Sequence, residues 1–455
     1  MMEIPFRHFA RYSEIISILI RYGLGYFVLE QIPLPKGAGL IGSKRHYSEA
    51  ELTLIGVRLR EALTELGPTF IKMGQLVGNR TDIIPQPVAA ELTKLQDRVR
   101  PFPFVQVRQV IEQALQQRLD AAFQEFDPRP LAAASLGQVH QAVLYSGEKA
   151  AVKVQRPRVR EVAEVDLEIF SFLISKFEQR TEWGKRYPLK TIFNEFSKTL
   201  LEELDFFNEG RNTEQLARLN RKNSNFVIPK IYWEFTKATV LTQEFISGIP
   251  LHQMIDDQDL SIKGEEYDRS LIAKQLGRGL LRQILSDGYF HGDPHPGNIF
   301  ILPEGKIALI DFGVLGTLTQ SMRYQLAELI MALLRGKDER LFEVISQMGI
   351  VPQQIDQTQF LKDISGLRSK YLNQSQGIRG IGEGVQDFFN LIHHHGIYLP
   401  SEFILVGKTL ITLEGYLYRL DPEFSLIEQV KPYSRKILWD RYNPIHFLTR
   451  ILSFS

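Results

Sequence analysis

The sequence predicts an α+β chain in two lobes, a small strand-rich unit followed by a larger helical one, with a helical extension ahead of both. Two observations carry this. Period-two apolar runs at Gln138-Val139-His140-Gln141-Ala142-Val143-Leu144-Tyr145 and Ala150-Ala151-Val152-Lys153-Val154 flank the turn Ser146-Gly147-Glu148-Lys149, which reads as a hairpin. Helical spacing dominates both before residue 105 and after Gly248. The expected units are 1–105, a helical extension; 106–249, the strand-rich lobe with inserted helices; and 250–455, the mainly helical lobe with its tail.

Along the extension, residues 15–29 form the most apolar early stretch, but Arg21 interrupts it and Glu14 and Glu30 bracket it. A membrane-spanning helix needs about 18 or more apolar residues with few charges. A packed or interfacial amphipathic helix is expected instead. Pro33, Pro35, Gly37 and Gly39 break it. A second helix is expected over 48–66, stopped by Gly67-Pro68. A third is expected within 104–126, on Val105, Val110, Ile111, Leu115 and Leu119. Residues 160–220 read as helical and charged. Phe226-Val227-Ile228 and 240–245 read as strands of the smaller lobe. In the larger lobe a loop at 290–300 and a short hairpin at 299–311 interrupt the helices.

The chain's 455 residues allow a large core, with 44% hydrophobic and 24% charged residues. Lys and Arg total 54 against 53 Asp and Glu, so no global charge draws the chain to nucleic acid, and none is expected as a partner. Cysteine is absent, which excludes disulfides, Cys-based zinc sites and thiol catalysis, and fits a reducing compartment. The N-terminus lacks the order of a signal peptide. The expected location is cytoplasmic or peripheral on an inner or thylakoid-type membrane surface.

Moving a phosphoryl group from ATP requires metal on the phosphates, cations to hold them and a carboxylate to orient the acceptor. The sequence offers each in order. His291-Gly292-Asp293-Pro294-His295-Pro296-Gly297-Asn298 has the Asp and Asn spacing of a kinase catalytic loop. Asp293 is the expected base or acceptor-orienting group, and Asn298 an expected Mg²⁺ ligand. Read alone, a polar Gly/Pro turn between helix and strand is the lesser alternative. Asp311-Phe312-Gly313 follows at the end of an expected strand, where Asp311 is the main Mg²⁺ ligand. Ala151-Val152-Lys153 resembles the strand whose lysine contacts the α- and β-phosphates. The phosphate-covering loop departs from the glycine-rich pattern. It runs Ala132, Ala133, Ala134, Ser135, Leu136, Gly137, Gln138, Val139, with alanine at the first two glycine positions. Alanine is stiffer there, so altered nucleotide preference or slower turnover is expected. Glu244 and Ile246 complete the expected ATP-binding set. The carboxylate partner of Lys153 lies within Glu202-Glu203-Leu204-Asp205-Phe206-Phe207-Asn208-Glu209, and periodicity does not choose among them. After Gly313 only five residues, Val314 to Leu318, precede a helix expected to begin near Thr319 or Gln320. No Ala-Pro-Glu follows, which argues against ordinary Ser/Thr kinase activity.

Over roughly residues 60–425 the chain resembles the UbiB/AarF family of atypical kinases. The elements that carry the resemblance are Lys72-Met73-Gly74-Gln75, its continuation at Arg80, Asp82 and Pro85, Leu95-Gln96-Asp97, the alanine-rich loop and Glu203-Leu204-Asp205. Asn79 stands where serine is more usual. The resemblance implies a protein-kinase-like bilobal fold with ATP and Mg²⁺ as cofactors. It implies that Lys72 and Gln75 are regulatory or catalytic, that Glu203 and Asp205 are their partners, and that Glu209 pairs with Lys153. It also implies a link to isoprenoid-quinone biosynthesis and membrane lipids, with ATPase activity rather than protein phosphorylation. Two other readings remain. Aminoglycoside and choline kinases share the His-Gly-Asp loop but lack the Lys72 motif. A nucleotide-sensing scaffold without turnover is the other.

His393-His394-His395 is expected at a helix end, since adjacent helical residues point apart and seldom chelate one ion. In the C-terminal segment Arg435, Lys436, Arg441 and Arg450 mix with Ile437, Leu438, Trp439, Phe447, Leu448, Ile451, Leu452 and Phe454. This suits either an anionic membrane surface or a helix docked on the larger lobe.

Overall fold

The computed structural model describes residues 8–24, 48–78, 84–95, 100–180, 189–221, 225–257, 267–352, 355–372 and 380–442. The expected features at Asn79, Arg80, Asp82, Gln96, Asp97, the 32–39 break and the tail beyond 442 lie outside these residues. The strands are β1 (Glu125–Phe126), β2 (Ala132–Ala133), β3 (Gly137–Val143), β4 (Lys149–Gln155), β5 (Phe226–Val227), β6 (Val240–Glu244), β7 (Ile249–Pro250), β8 (Tyr289–His291), β9 (Ile299–Ile301), β10 (Ile307–Leu309) and β11 (Leu315–Thr317). The chain divides into two compact units. The first holds 1–210 and 231–245, the second 211–230 and 246–455.

The first unit carries an antiparallel sheet ordered β1-β3-β4-β6, with β2 added to β3. The alternation along β4 places Ala150, Val152 and Val154 in one core with Val107, Ile111 and Phe123. Ala151 and Lys153 fall on the other face. The helix Phe104–Leu115 behind the sheet ends where Gln116 turns left-handed, φ 56°. Its inward residues are Val107 and Ile111, whereas Val105, expected on the apolar face, is 66% exposed. The register is shifted because Phe102 and Pro103 lead into the first turn, and Gln138 fixes it by binding the Phe102 amide.

The extension's helices belong to this same unit. Glu49–Leu66 begins with a capping box in which Ser48 and Glu51 satisfy each other's amides. Pro68 does not end helical structure but opens the next helix, Pro68–Gly78, where its missing N–H costs nothing. Ile15 and Ile18 of the helix Phe9–Arg21 are buried with Leu63, Leu66 and Phe70. No helix among the described residues is long and apolar enough to cross a membrane.

In the second unit β9 and β10 form the expected hairpin. Phe226–Val227, expected in the smaller lobe, instead pairs in parallel with Ile307–Ala308. Two-residue strands carry no local signature of their partner, and the pairing is decided by Phe226 joining the core of Leu280, Ile284 and Ile307. Nine residues after Asp311 the helix Gln320–Arg335 begins, capped by Thr319, whose hydroxyl accepts from Met322 N.

Candidate functional site

In the first unit, β4 holds Lys153 opposite Val139 on β3 and Leu241 on β6. Its ammonium meets both oxygens of Glu209, at 3.0 and 2.8 Å, and lies 5.0 Å from the centroid of the Phe206 ring. Glu209 is buried, so solvent and salt screen its attraction to Lys153 little. Four carboxylates were candidates by spacing, and the first turn of the helix Phe206–Asn220 brings Glu209 to the lysine.

The alanine-rich segment is a tight hairpin. β2 pairs with Gln138 and Val139, and Ala134 N donates to Gly137 O at 2.8 Å. Its tip is only partly exposed, with Ala134 open to solvent. Ser135 is fully buried, and Leu136 packs with Val159, Ala163, Phe193 and Leu200 of the inserted helices. Arg156 N binds the Leu136 carbonyl at 2.8 Å. Gly137 is required by close approach, since a Cβ there would stand 2.5 Å from the Val154 carbonyl oxygen. Glu244 ends β6 opposite Ala150. Ile246 opens the second segment, 246–455, of the second unit.

Lys72 Nζ pairs with Glu203 Oε1 at 2.9 Å, both largely shielded from solvent. Gly74 lets the helix Pro68–Gly78 close on its neighbours, because a Cβ there would meet Leu95 and Leu63 side chains at 2.3 and 2.7 Å. The Gln75 amide donates to the Leu95 carbonyl at 3.1 Å. Asp205 does not join Lys72. Its Oδ1 accepts from Phe207 N at 3.1 Å and so caps the helix carrying Glu209. Asp205 favours this cap because it stands where that helix begins, and aspartate is a strong N-cap residue.

In the second unit, the loop 291–298 leaves β8 and enters β9. His291 N donates to buried Gln283 Oε1 at 3.1 Å, from a π-helical turn at Gln283–Asp287. His291 Nδ1 accepts from Asp293 N at 3.2 Å. Burial holds the His291 pKa below its ordinary value, so the ring is neutral with its proton on Nε2. Asn298 and Asp311 flank the open end of one hairpin, since Ile310 N donates to Asn298 O at 3.1 Å. Asp311 Oδ1 accepts from Gly313 N at 3.0 Å. Phe312 is fully buried, its ring 5.6 Å from that of His291. Its carbonyl accepts from Asn212 Nδ2 at 3.2 Å, and Tyr289 OH donates to Asn212 Oδ1 at 3.0 Å. Asn212 was not singled out from the sequence; it lies three residues past Glu209, on a helix already marked as functional.

A residue far downstream also reaches this loop. Lys408 Nζ is 3.3 Å from Asp293 Oδ1. The His393-His394-His395 run ends the helix Ile381–His394, and His395 Nε2 pairs with Asp363 at 2.9 Å beside the Phe360 ring. A separate cavity of about 180 Å³ is lined by Leu329, Leu333, Val385, Phe388 and Leu410 and holds none of these residues.

A unit whose antiparallel sheet carries the Lys153–Glu209 pair and a second, largely helical unit carrying Asp293, Asn298 and Asp311 define a kinase-like α+β protein. The ABC1 atypical kinase-like domain matches residues 94–345, and the UbiB helical domain matches 364–425. The chain belongs to the UbiB/AarF family of atypical kinase-like proteins. It is 35% identical over 387 residues to the protein named activity of bc1 complex kinase 7, chloroplastic, of Arabidopsis thaliana, covering 84% of this chain and 54% of that protein. It is 32% identical over 402 residues to the probable protein kinase UbiB of Xylella fastidiosa, covering 87% of this chain and 72% of that one. Among solved structures it resembles Rv3197 of Mycobacterium tuberculosis, determined with erythromycin. The TM-score is 0.53 at 23% identity, over 82% of this chain and 93% of that one, a likeness of fold. Several relatives are longer, and the matched segment is 66%, 64% and 54% of three of them.

Proposed function

We propose that the chain binds Mg²⁺-ATP and acts as an atypical kinase or ATPase. The observation that carries the proposal is the hairpin that ends in Asn298 on one strand and Asp311 on the other, entered from the loop bearing Asp293. A carboxylate and an amide oxygen are hard donors, which fits Mg²⁺. Asp311 and Asn298 would hold the ion, which when bound neutralises charge on the phosphates. Lys153, kept in place by Glu209, would contact the α- and β-phosphates. Ala132, Ala133, Ala134, Ser135, Gly137 and Val139, with Glu244 and Ile246, would form the rest of the nucleotide contacts. Asp293 would orient an acceptor hydroxyl or water and accept its proton. The Lys72–Glu203 ion pair would govern access, with Gln75 and Asp205 fixing the two elements that bear it.

The test is nucleotide affinity measured with Mg²⁺ and with chelator, for the wild type and Asp311→Asn. Affinity is expected to fall about tenfold or more on either change, which corresponds to about 1.4 kcal/mol. Equal Mg²⁺-dependent binding by Asp311→Asn would overturn the proposal. A soluble hydroxylated acceptor consumed one-for-one with ATP would favour the small-molecule phosphotransferase reading. ATP-dependent partner binding that survives Asp293→Asn would favour the scaffold.

The family relationship supports work in isoprenoid-quinone or lipid metabolism at a membrane surface. The helix Leu426–Tyr442 gives this a physical handle. Leu426 and Val430 are buried, whereas Arg435 and Lys436 are exposed and Trp439 is 72% exposed. A large aromatic beside exposed cations suits an anionic headgroup layer. Flotation with anionic vesicles is expected to weaken in Trp439→Ala, and unchanged flotation would remove this part of the reading.

A further inference from the structure

Leu405, Lys408 and Thr409 stand at i, i+3 and i+4 on one face of the helix Ser401–Leu420, and all three meet the loop 291–298. A Cβ on Gly292 would come within 3.0 Å of Leu405 Cδ2. Thr409 Oγ1 donates to Gly292 O at 3.2 Å in a buried bond. Lys408 Nζ stands 3.3 Å from Asp293 Oδ1, with the two side chains 28% and 42% exposed. The helix is therefore fitted to the loop by packing, by a backbone hydrogen bond and by an ion pair.

The loop has no permanent cation of its own. Between His291 and Asn298 there is neither lysine nor arginine. His291 is neutral, and Nδ1 of His295 is taken by Gly297 N at 3.1 Å. Phosphoryl transfer nevertheless gathers charge on the equatorial and leaving oxygens, and a fixed cation aimed there lowers the barrier. A lysine ammonium has three N–H donors, and Lys408 meets Asp293 as an ion pair at 3.3 Å, which leaves donors for a further oxygen.

We propose that Lys408 is a catalytic residue that keeps its ion pair with Asp293 and donates a hydrogen bond to an oxygen of the transferring γ-phosphoryl group. The inference rests on the Mg²⁺-ATP reading above. In the step, the acceptor oxygen bonds to the γ-phosphorus as the bond from that phosphorus to the β,γ-bridging oxygen breaks. The acceptor's proton passes to the Asp293 carboxylate, ADP leaves, and Lys408 stays protonated throughout.

The test uses the full chain and an acyl-phosphate derivative of ATP, which transfers its acyl group to amines beside the terminal phosphate. An amide forms and the mixed anhydride breaks. Peptide mapping is expected to find acylated Lys408, protected by excess Mg²⁺-ATP. Acylation of Lys153 without Lys408 would overturn the inference and leave nucleotide binding standing. No acylated lysine together with no ATP binding would overturn both. In kinetics, Lys408→Met is expected to lower kcat about a hundredfold with nucleotide Kd within about twofold, and Lys408→Arg to restore about tenfold of that. A lysine that only braces the loop predicts the same loss from Lys408→Arg as from Lys408→Met, and that pattern, or an unchanged kcat in Lys408→Met, would contradict the assignment.

Discussion

Gly137 is the one glycine kept in the alanine-rich loop, and its reason is steric. A Cβ there would stand 2.5 Å from the Val154 carbonyl oxygen and 3.2 Å from the Val154 carbonyl carbon, both backbone atoms that cannot swing aside. Gly137→Ala is expected to force β3 from β4 and destabilise the protein by about 1–3 kcal/mol, read as a lower denaturation midpoint. At the other end of the chemistry, His291 is neutral because burial lowers its pKa. In the unfolded chain its pKa is about 6.5, so between that value and the lower folded one the unfolded state binds the extra proton. Stability therefore rises with pH across this window and is lost as pH falls below about 6.5. Burial lowers the His140 pKa in the same direction. Denaturant titrations at pH 7.5 and 5.5 are expected to reveal the loss, and His291→Gln to make it smaller. The motif residues themselves were legible because their spacing is local. Lys153, Asp293, Asn298 and Asp311 announce themselves by neighbours a few positions away. Lys408 does not, because a lysine on an amphipathic helix is ordinarily solvated, and its partner Asp293 lies far back in sequence.

At the scale of elements, the hairpin over 132–139 is more than a stiff loop. Its tip residue Leu136 is buried among the helices Val159–Arg180 and Leu189–Glu203. These inserted helices thus fix the segment expected to lie over phosphate. Leu136→Ala is expected to cost about 2–4 kcal/mol and to speed hydrogen exchange at the Ala134 amide, which bonds Gly137 O at 2.8 Å. A slowed or unchanged Ala134 amide would show that the tip is not what holds the hairpin. Glu209 and Asp205 show what periodicity leaves open. Both are acidic residues on one segment, and only the helix start at Phe206 turns Asp205 into a cap and Glu209 toward Lys153. The starts of two helices, near Ser48 and near Thr319, were readable, and each of these residues caps its helix. The parallel pairing of Phe226–Val227 with Ile307–Ala308 was not, because it joins segments with no shared local pattern.

For the whole molecule, each unit carries part of one chemical inventory. The first holds a buried Lys–Glu pair and a clamped loop, and the second holds the carboxylates and amide suited to metal and acceptor. The order of strands then helices was legible from the change of hydrophobic period. The assignment of 211–230 to the second unit was not, since it depends on contacts of Leu216 and Phe226 rather than on composition. The family match itself falls in two pieces, 94–345 and 364–425, and Lys408 lies in the second. Lys408, in its proposed role, ties the helical domain to the same chemistry as the kinase-like part. Its central claim is that Asp293 serves turnover of Mg²⁺-ATP rather than the binding of it. The direct measurement is phosphate release at saturating Mg²⁺-ATP by the wild type and Asp293→Asn, with nucleotide binding measured on the same samples. The expected result is a variant that binds nucleotide normally and releases phosphate about a hundredfold or more slowly. Equal release by the two proteins would contradict the account.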